Sequence, residues 1–196
     1  MRKNFDKSLL NILEYEGKFS NRKADKGGPT NLGITLRTLQ NFEKLYDYGD
    51  FDGDGDVDID DIIALDTPEE AAPIYKKFFW DAMKLDDFPK GVDFLMFDFG
   101  VNSGPGNARK ILQRALNRFG ANLYVDGIVG GKTKAMISKV ETEPLIKALL
   151  LERDIFYRKI VAVDETQIVN LKGWLNRLAR LTIDVRQFMK DRKSVV

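Results

Sequence analysis

Apolar side chains recur every three or four positions along most of this chain of 196 residues. This spacing is typical of amphipathic helices, because it places the apolar residues on one face. It is interrupted between Phe19 and Gly33, where Gly27, Gly28 and Pro29 prevent a helix and favour a small β-hairpin or looped ribbon. The sequence therefore predicts a mainly α protein with one small β element near its N-terminus.

Local signals mark where individual helices begin. The spacing of the first apolar residues predicts a helix over residues 5–16. Thr35 is predicted to cap the helix that follows the β element. Thr67, Pro68 and Glu70 have the spacing of a capping box with proline at the first helical position. Further helices are predicted over residues 92–101, 106–119, 131–140, 144–162 and 173–190.

The chain shows no internal repeat and no low-complexity linker. Residues 1–90 contain the β element and an acidic loop at residues 50–61, and residues 91–196 are expected to form a helical body. A length of 196 residues is compatible with one domain, or with one large and one small domain. We expect the two regions to form one compact unit.

The composition excludes several kinds of chemistry. The chain has no cysteine, which excludes disulfides, thiolate metal sites and cysteine nucleophiles. It also has no histidine, which excludes every histidine-based triad and every HExxH zinc site. Carboxylates, hydroxyls, lysine and tyrosine remain as the groups available for catalysis.

Residues 50–61 contain seven aspartates, and their spacing fits the twelve-residue calcium loop of an EF-hand. The predicted oxygen ligands are Asp50, Asp52, Asp54, Asp56 and Asp61. Gly55 falls at position six, where the loop turns through a positive φ. Aspartate rather than glutamate at position twelve resembles the calcium loops of dockerins more than those of calmodulin-type sensors. We expect a structural Ca²⁺ here; the alternative is a solvated acidic surface loop.

Two carboxylates near the N-terminus have the spacing of an acid–base pair. Glu16 is predicted at the last turn of a helix, where the negative end of the dipole should raise the pKa of its carboxyl. Asp25 follows nine residues later, within the β element. Two carboxylates across a groove can hydrolyse an acetal, one protonating the leaving oxygen and the other activating or holding a water. This spacing is also common in proteins that are not enzymes.

The segment that contains these carboxylates resembles a known family. From Glu16 to Thr35 it reads E-G-x-F-S-N-x-x-A-D-x-G-G-P-T-N-x-G-I-T, which is similar to the signature of the glycoside hydrolase family 108 muramidases, a group of phage and prophage lysozymes. Residues 97–105 resemble the buried central helix of these proteins. Residues 125–133 resemble their C-terminal peptidoglycan-binding region, and residues 171–177 their terminal helix motif.

The resemblance implies a lysozyme-like fold, with residues 1–90 as the catalytic region. It also implies hydrolysis of the β-1,4 bond between N-acetylmuramic acid and N-acetylglucosamine by general acid catalysis, without a catalytic cofactor. Glu16 matches the proton donor, and Asp25 and Thr30 match the residues that position water, although the spacing in phage-type lysozymes would place the threonine at Asn31. Lys18 departs from the family, which usually has glycine there.

Asn102 and Ser103 end the segment that resembles the central helix. They either contact sugar or simply end the helix, and the sequence does not distinguish these roles. A rival interpretation of the whole chain is a non-catalytic peptidoglycan-binding or calcium-stabilised adaptor protein. The departure from the family at Lys18 favours this rival, whereas the glutamate, aspartate and glycine-rich hairpin together favour the enzyme.

Charge and targeting signals suggest the setting in which the protein works. The acidic loop contributes seven negative charges to a net charge of +1, so the rest of the chain carries +8 and suits an anionic cell wall. We expect peptidoglycan as the partner, no nucleic acid, no membrane insertion and a monomer. No signal peptide is recognised, so we expect synthesis in the host cytoplasm and holin-type release to the periplasm.

Overall fold

A computed structural model of the chain describes residues 2–14 and 29–190, and for residues 2 and 3 it describes the backbone only. The chain divides into two compact units, residues 1–81 and 82–196. The division predicted at residue 90 falls within the second of these units. Over the described residues, the expectation of a mainly α protein with a small β-hairpin is confirmed.

The first unit combines short helices with a two-stranded antiparallel hairpin. Its elements are α1 (Arg2–Leu13), β1 (Thr30–Asn31), β2 (Ile34–Thr35), α2 (Leu36–Tyr46), α3 (Ile59–Ala64), α4 (Pro68–Tyr75) and a π-helical continuation, Lys76–Asp81. The rings of Phe5 on α1 and Trp80 pack in a T-shaped arrangement, with centroids 5.4 Å apart. The core of this unit is thus aromatic as well as aliphatic.

Both predicted caps in this unit are confirmed. The Thr35 hydroxyl accepts a hydrogen bond from the Thr38 backbone N–H and so begins α2. Thr67 and Glu70 form the reciprocal capping box of α4, and Glu70 Oε2 accepts from the Thr67 backbone N–H at 3.0 Å. Each cap satisfies N–H groups that a helix start leaves without intrahelical partners.

The second unit is a helical body built around α5. Its elements are a 3₁₀ turn at Leu85–Asp87, α5 (Val92–Ser103), α6 (Pro105–Asn117), α7 (Gly131–Lys139), α8 (Thr142–Val163), a 3₁₀ turn at Glu165–Gln167 and α9 (Ile168–Lys190). Every residue of α5 from Val92 to Gly100 is buried. Helices α6, α8 and α9 pack around it. A helix that is apolar on all faces has to be enclosed in this way.

Among the described residues, the helix boundaries differ most from the sequence prediction at the starts of α1 and α9. The helix α1 spans Arg2–Leu13, and the predicted last turn that includes Glu16 lies outside the described residues. The helix α9 begins at Ile168 and contains Gly173, where the prediction began. Inside a helix, glycine is less favourable than alanine by about 1 kcal/mol. The packing of the rest of this long helix outweighs that cost. No described helix is long and apolar enough to span a membrane.

Candidate active site and acidic loop

The two carboxylates predicted to act as acid and water-holding group, Glu16 and Asp25, lie outside the described residues, as does Lys18. The residues that flank this segment are described. Glu14 is exposed in the turn after α1, and Pro29 leads directly into the hairpin. Thr30 is therefore the one predicted catalytic residue whose surroundings can be described.

Thr30 lies on a hairpin that is fixed at several points. It pairs with Thr35 in the two-stranded sheet, and the Leu36 backbone N–H donates to the Pro29 carbonyl at 3.0 Å. The turn residues Leu32 and Gly33 both have positive φ, 46° and 74°, as a two-residue turn of type I′ requires. A leucine there is strained, and the rest of the hairpin has to hold it in place.

Asn31, the alternative water-positioning residue, has a buried side chain that is occupied by structural contacts. Its Nδ2 donates to the carbonyls of Ile62 and Leu65 at the end of α3, at 3.1 and 2.8 Å. Its Oδ1 accepts from the Leu32 backbone N–H at 3.0 Å. Neighbouring residues of a strand point to opposite faces, so the half-buried Thr30 side chain lies on the other face of the hairpin.

The first half of the acidic loop is organised by hydrogen bonds from backbone N–H groups to aspartate side chains. Asp50 accepts from Gly53 at 2.6 Å and from Gly55 at 3.1 Å. Asp52 and Asp54 each accept from the residue two positions later, at 3.2 and 3.1 Å. These bonds curl the chain so that oxygens of Asp50, Asp52 and Asp54 lie within 4.8 Å of one another.

The second half of the loop is closed by Asp61, whose side chain is buried. Its Oδ1 accepts from the Phe51 backbone N–H at 2.6 Å and its Oδ2 from the Asp58 backbone N–H at 2.8 Å. Asp58 is itself the N-cap of α3, and the two residues form a capping box. The residue predicted to close the loop at position twelve therefore ties the start of the loop, and the N-cap Asp58, to α3.

The structure divides the acidic side chains into two groups. Asp50, Asp52 and Asp54 form one, and Asp56, Asp58 and Asp61 form the other, each with oxygens within 4.8 Å. Asp58 was not among the predicted ligands, although it occupies position nine, which is a ligand position in EF-hand loops. Repulsion from Asp54 raises the pKa of Asp56. The loop thus concentrates negative charge that a cation would neutralise.

A buried ionic cluster in the second unit surrounds Asp98. Its two carboxylate oxygens lie 2.6 Å from Arg153 Nη1 and 2.8 Å from Arg177 Nη2. Burial by itself would raise the pKa of Asp98, but the two guanidinium groups outweigh it and hold the pKa below its usual value. The sequence pattern favours a buried structural role for Asp98 over a catalytic one, because it lies within an apolar run.

A chain of hydrogen bonds connects this cluster to Asn102. Arg153 Nε donates to the Tyr157 hydroxyl at 2.7 Å, and that hydroxyl donates to Asn102 Oδ1 at 2.8 Å. The Ser103 hydroxyl donates to the same oxygen at 3.1 Å. Asn102 Nδ2 donates to no described residue. The half-buried Trp174 stacks on the Tyr157 ring, with centroids 5.2 Å apart, so one of its faces is used in packing.

The segment around Asp126 and Gly127 forms a tight turn held against α6. Gln113 Nε2 donates to Asp126 Oδ1 at 2.8 Å and to the Ile128 carbonyl at 3.1 Å. Gln113 Oε1 accepts from the Gly127 backbone N–H at 2.8 Å. Gly127 has a φ of 82°, and a Cβ there would lie 3.2 Å from the Gly106 carbonyl oxygen. Glycine is therefore required at this position.

Comparisons with known proteins match two consecutive segments of the chain. Residues 9–104 match the family Glycosyl hydrolase 108, and residues 107–179 match the Predicted Peptidoglycan domain. Among solved structures, Brucella abortus SagA is similar, at 29% sequence identity and a TM-score of 0.76, and the match covers 98% of this chain and 99% of that one. No curated protein matches the chain.

Proposed function

The chain belongs to the glycosyl hydrolase 108 family, and from this premise we propose that it is an endolysin-type muramidase. The reaction is hydrolysis of the β-1,4 bond between N-acetylmuramic acid and N-acetylglucosamine in peptidoglycan. The observation that carries the proposal is the motif from Glu16 to Thr35 within the matched catalytic region, followed by a matched peptidoglycan region. A non-catalytic peptidoglycan-binding adaptor is the rival.

In the proposed mechanism, Glu16 protonates the glycosidic oxygen as the bond breaks. Asp25 and Thr30 hold the attacking water, and we propose inversion at the anomeric carbon, as in phage-type lysozymes. Inverting enzymes place water between substrate and base, which requires carboxyls about 6.5–9.5 Å apart. The anchored hairpin supports a positioning role for Thr30, because a water is held best by a group whose backbone does not move.

The contacts of Asn31 favour Thr30 as the water-positioning hydroxyl. The Asn31 amide already donates two hydrogen bonds to α3, and its oxygen accepts a third. A side chain used in this way has no donor left for a water in the active site. Thr30 lies on the opposite face of the strand and carries a hydroxyl.

The bond cleaved can be identified from the products. We expect the purified protein to release reducing sugars from purified peptidoglycan, and borohydride reduction followed by mass spectrometry to place the reduced residue at N-acetylmuramic acid. Proton NMR at early times would show the α-anomer first if the reaction inverts. Reduced N-acetylglucosamine or an anhydro product would contradict the muramidase proposal, and binding without release would favour the adaptor.

We also propose that Asn102 and Ser103 contact the sugar chain. Tyr157 fixes the orientation of the Asn102 side-chain amide by donating a hydrogen bond to its oxygen. The Nδ2 group of Asn102 then points away from Tyr157 and can donate to a ligand. Sugar hydroxyls and acetamido carbonyls accept such hydrogen bonds. The buried cluster behind Tyr157 supports this orientation through Arg153.

Replacement of Asn102 by alanine should therefore weaken substrate binding. We expect the KM for soluble peptidoglycan fragments to rise about tenfold, as expected for the loss of about 1.4 kcal/mol of binding, with kcat less affected. Asn176→Ala, at an exposed position of α9, is the matched control. An unchanged KM in Asn102→Ala would show that these residues only end α5.

We further propose that residues 50–61 bind a structural Ca²⁺. The fit is supported by two groups of converging carboxylate oxygens and by the positive φ of Gly53 and Gly55. Calcium takes six to eight oxygen ligands, more than either group of three supplies, so backbone carbonyls or water would complete the shell. Calcium would remove the mutual repulsion that raises the pKa of Asp56.

Calcium should raise the melting temperature of the protein relative to a chelator. At 100 times the Kd, binding stabilises the fold by about 2.7 kcal/mol, or about 5–11 °C for a chain of this size. The double variant Asp52→Asn/Asp54→Asn should lose the shift. Asp60→Asn/Asp66→Asn removes the same charge outside both groups and should keep it. Equal melting temperatures with and without calcium in the wild type would contradict the site.

A further inference from the structure

A groove with a basic rim lies between α6 and α8 in the second unit, and we call it the basic groove. It has a volume of about 480 Å³. Its cations are Lys110 and Arg114 on α6 and Lys159 on α8, and its apolar floor is formed by Ile111, Phe156 and Ile160. All of these residues fall within the region 107–179 that matches the peptidoglycan domain.

The three cations of the basic groove are available for a ligand. Within residues 2–14 and 29–190, none of them forms an ion pair, whereas Arg118, Lys134 and Arg158 nearby in the sequence each pair with a carboxylate. Asp164 also lines the groove, and its side chain accepts a hydrogen bond from the Thr166 hydroxyl at 2.6 Å. The lining of the groove thus has three cations and one carboxylate, and its net charge is positive.

The turn at Asp126 and Gly127 lies beside Lys110, one of the three cations of the basic groove. The aliphatic part of Lys110 lies beside Gly127, where its Cγ would be 3.5 Å from a Cβ. Gln113, one turn along α6, holds the turn in place. Attraction between Lys110 and Asp126 contributes to the lowered pKa of Asp126, after the hydrogen bonds from Gln113 and Ile128. The position of Lys110 at the rim is thus supported by the fold.

We propose that the basic groove binds the stem peptide of peptidoglycan through its carboxylates. This inference rests on the proposed function and names the part of the substrate that this surface recognises. In peptidoglycan with intact stem peptides, the N-acetylated sugars are uncharged, and the ionised carboxylates belong to the peptides. A short peptide that alternates alanine methyl groups with carboxylates complements an apolar floor with three cations at its rim.

The test is a titration of the full-length wild-type chain followed by calorimetry or NMR. The probes are the free tetrapeptide L-Ala-γ-D-Glu-meso-diaminopimelate-D-Ala and the neutral sugar chitotetraose. The variant Lys110→Ala/Arg114→Ala/Lys159→Ala removes the cations of the groove. Lys139→Ala/Lys172→Ala/Arg180→Ala removes the same charge at exposed positions elsewhere in the unit and serves as the control. Circular dichroism checks that both variants fold.

We expect the tetrapeptide to bind the wild type and the control alike, and the groove variant at least tenfold more weakly. Its affinity should fall with added salt, because exposed charges are screened. Equal weakening in both variants, loss of chitotetraose binding in the groove variant, or no tetrapeptide binding would overturn the proposal. Stronger competition by polyphosphate or an oligonucleotide than by the tetrapeptide would also overturn it.

The proposed function fails by a different measurement. The tetrapeptide contains no glycosidic bond, so its binding does not depend on hydrolysis. If the wild type binds the tetrapeptide but releases no sugar, the muramidase proposal is contradicted and the proposal that the groove binds the stem peptide is supported. If it releases sugar but does not bind the tetrapeptide, only the proposal about the groove is contradicted.

Discussion

Glu16→Gln is expected to reduce release of reducing sugars from peptidoglycan by about 10²–10⁴-fold. Glutamine has nearly the same shape as glutamate but cannot donate a proton to the glycosidic oxygen, and general acid catalysis contributes a factor of this size. Binding of the variant to peptidoglycan should persist, because the substitution removes only the transferable proton and keeps the shape of the binding surface. Initial rates of the two proteins at equal concentration provide the measurement.

Glu14→Gln is the matched control for this experiment. Glu14 is exposed in the turn after α1 and is expected to be a solvated surface residue, so its replacement should leave the rate within about twofold. Rates that fall in Glu14→Gln and not in Glu16→Gln would show that the acid is misassigned. Equal sugar release by wild type and Glu16→Gln would have the same meaning.

Asp98→Ala is expected to lower the free energy of unfolding by about 3–5 kcal/mol, the range for breaking a buried ion pair by removal of one partner. Arg153 is only 3% exposed, and without Asp98 its positive charge would remain buried and uncompensated. The Phe99 ring, 4.8 Å from the guanidinium carbon, stabilises a cation only partly. Denaturant titration of both proteins measures the difference.

The surface pair of Lys147 and Glu143 is the matched control for Asp98. These side chains are 69% and 74% exposed and 3.0 Å apart, so Glu143→Ala should cost less than about 1 kcal/mol. A loss of similar size in both variants would contradict a special role for burial. Replacing Asp98, Arg153 and Arg177 together by apolar residues should recover part of the lost stability, because no charge then remains buried.

The same cluster should make the fold sensitive to acid. The pKa of Asp98 is lower in the folded protein than in the unfolded chain, where it is about 3.9. Its contribution to stability is therefore complete above that value and declines as the pH falls towards the folded pKa. The difference in unfolding free energy between wild type and Asp98→Ala should shrink correspondingly in acid.

Local patterns in the sequence account for the parts of the fold that depend on near neighbours. The N-cap at Thr35 and the capping box of Thr67 and Glu70 were predicted because each involves residues three positions apart. The buried helix α5 was predicted from an almost unbroken apolar run. The helix α9 begins at Ile168, before the predicted start at Gly173, because the low helix propensity of one glycine does not end a packed helix of 23 residues.

The candidate site also has parts that the sequence predicts and parts that depend on contacts between distant residues. The sequence left Thr30 and Asn31 open as water-positioning residues, because spacing does not show which face of a strand is occupied. Contacts of Asn31 with Ile62 and Leu65, more than thirty positions away, favour Thr30. Asp58 joined the acidic groups in the structure because it caps α3, although its position in the loop could have indicated it.

The helical character of the chain, the β element, the acidic loop and the family motif that contains Glu16 can all be predicted from the sequence alone. Each of these depends on residues close together along the chain, whose geometry follows from helix and turn periodicity. The partners of Asp98 could not be predicted in this way, because they come from α8 and α9. The same holds for the basic groove, which forms where α6 and α8 meet. Such partners are 55 to 79 positions away from Asp98 along the chain, and only packing of the helices selects them.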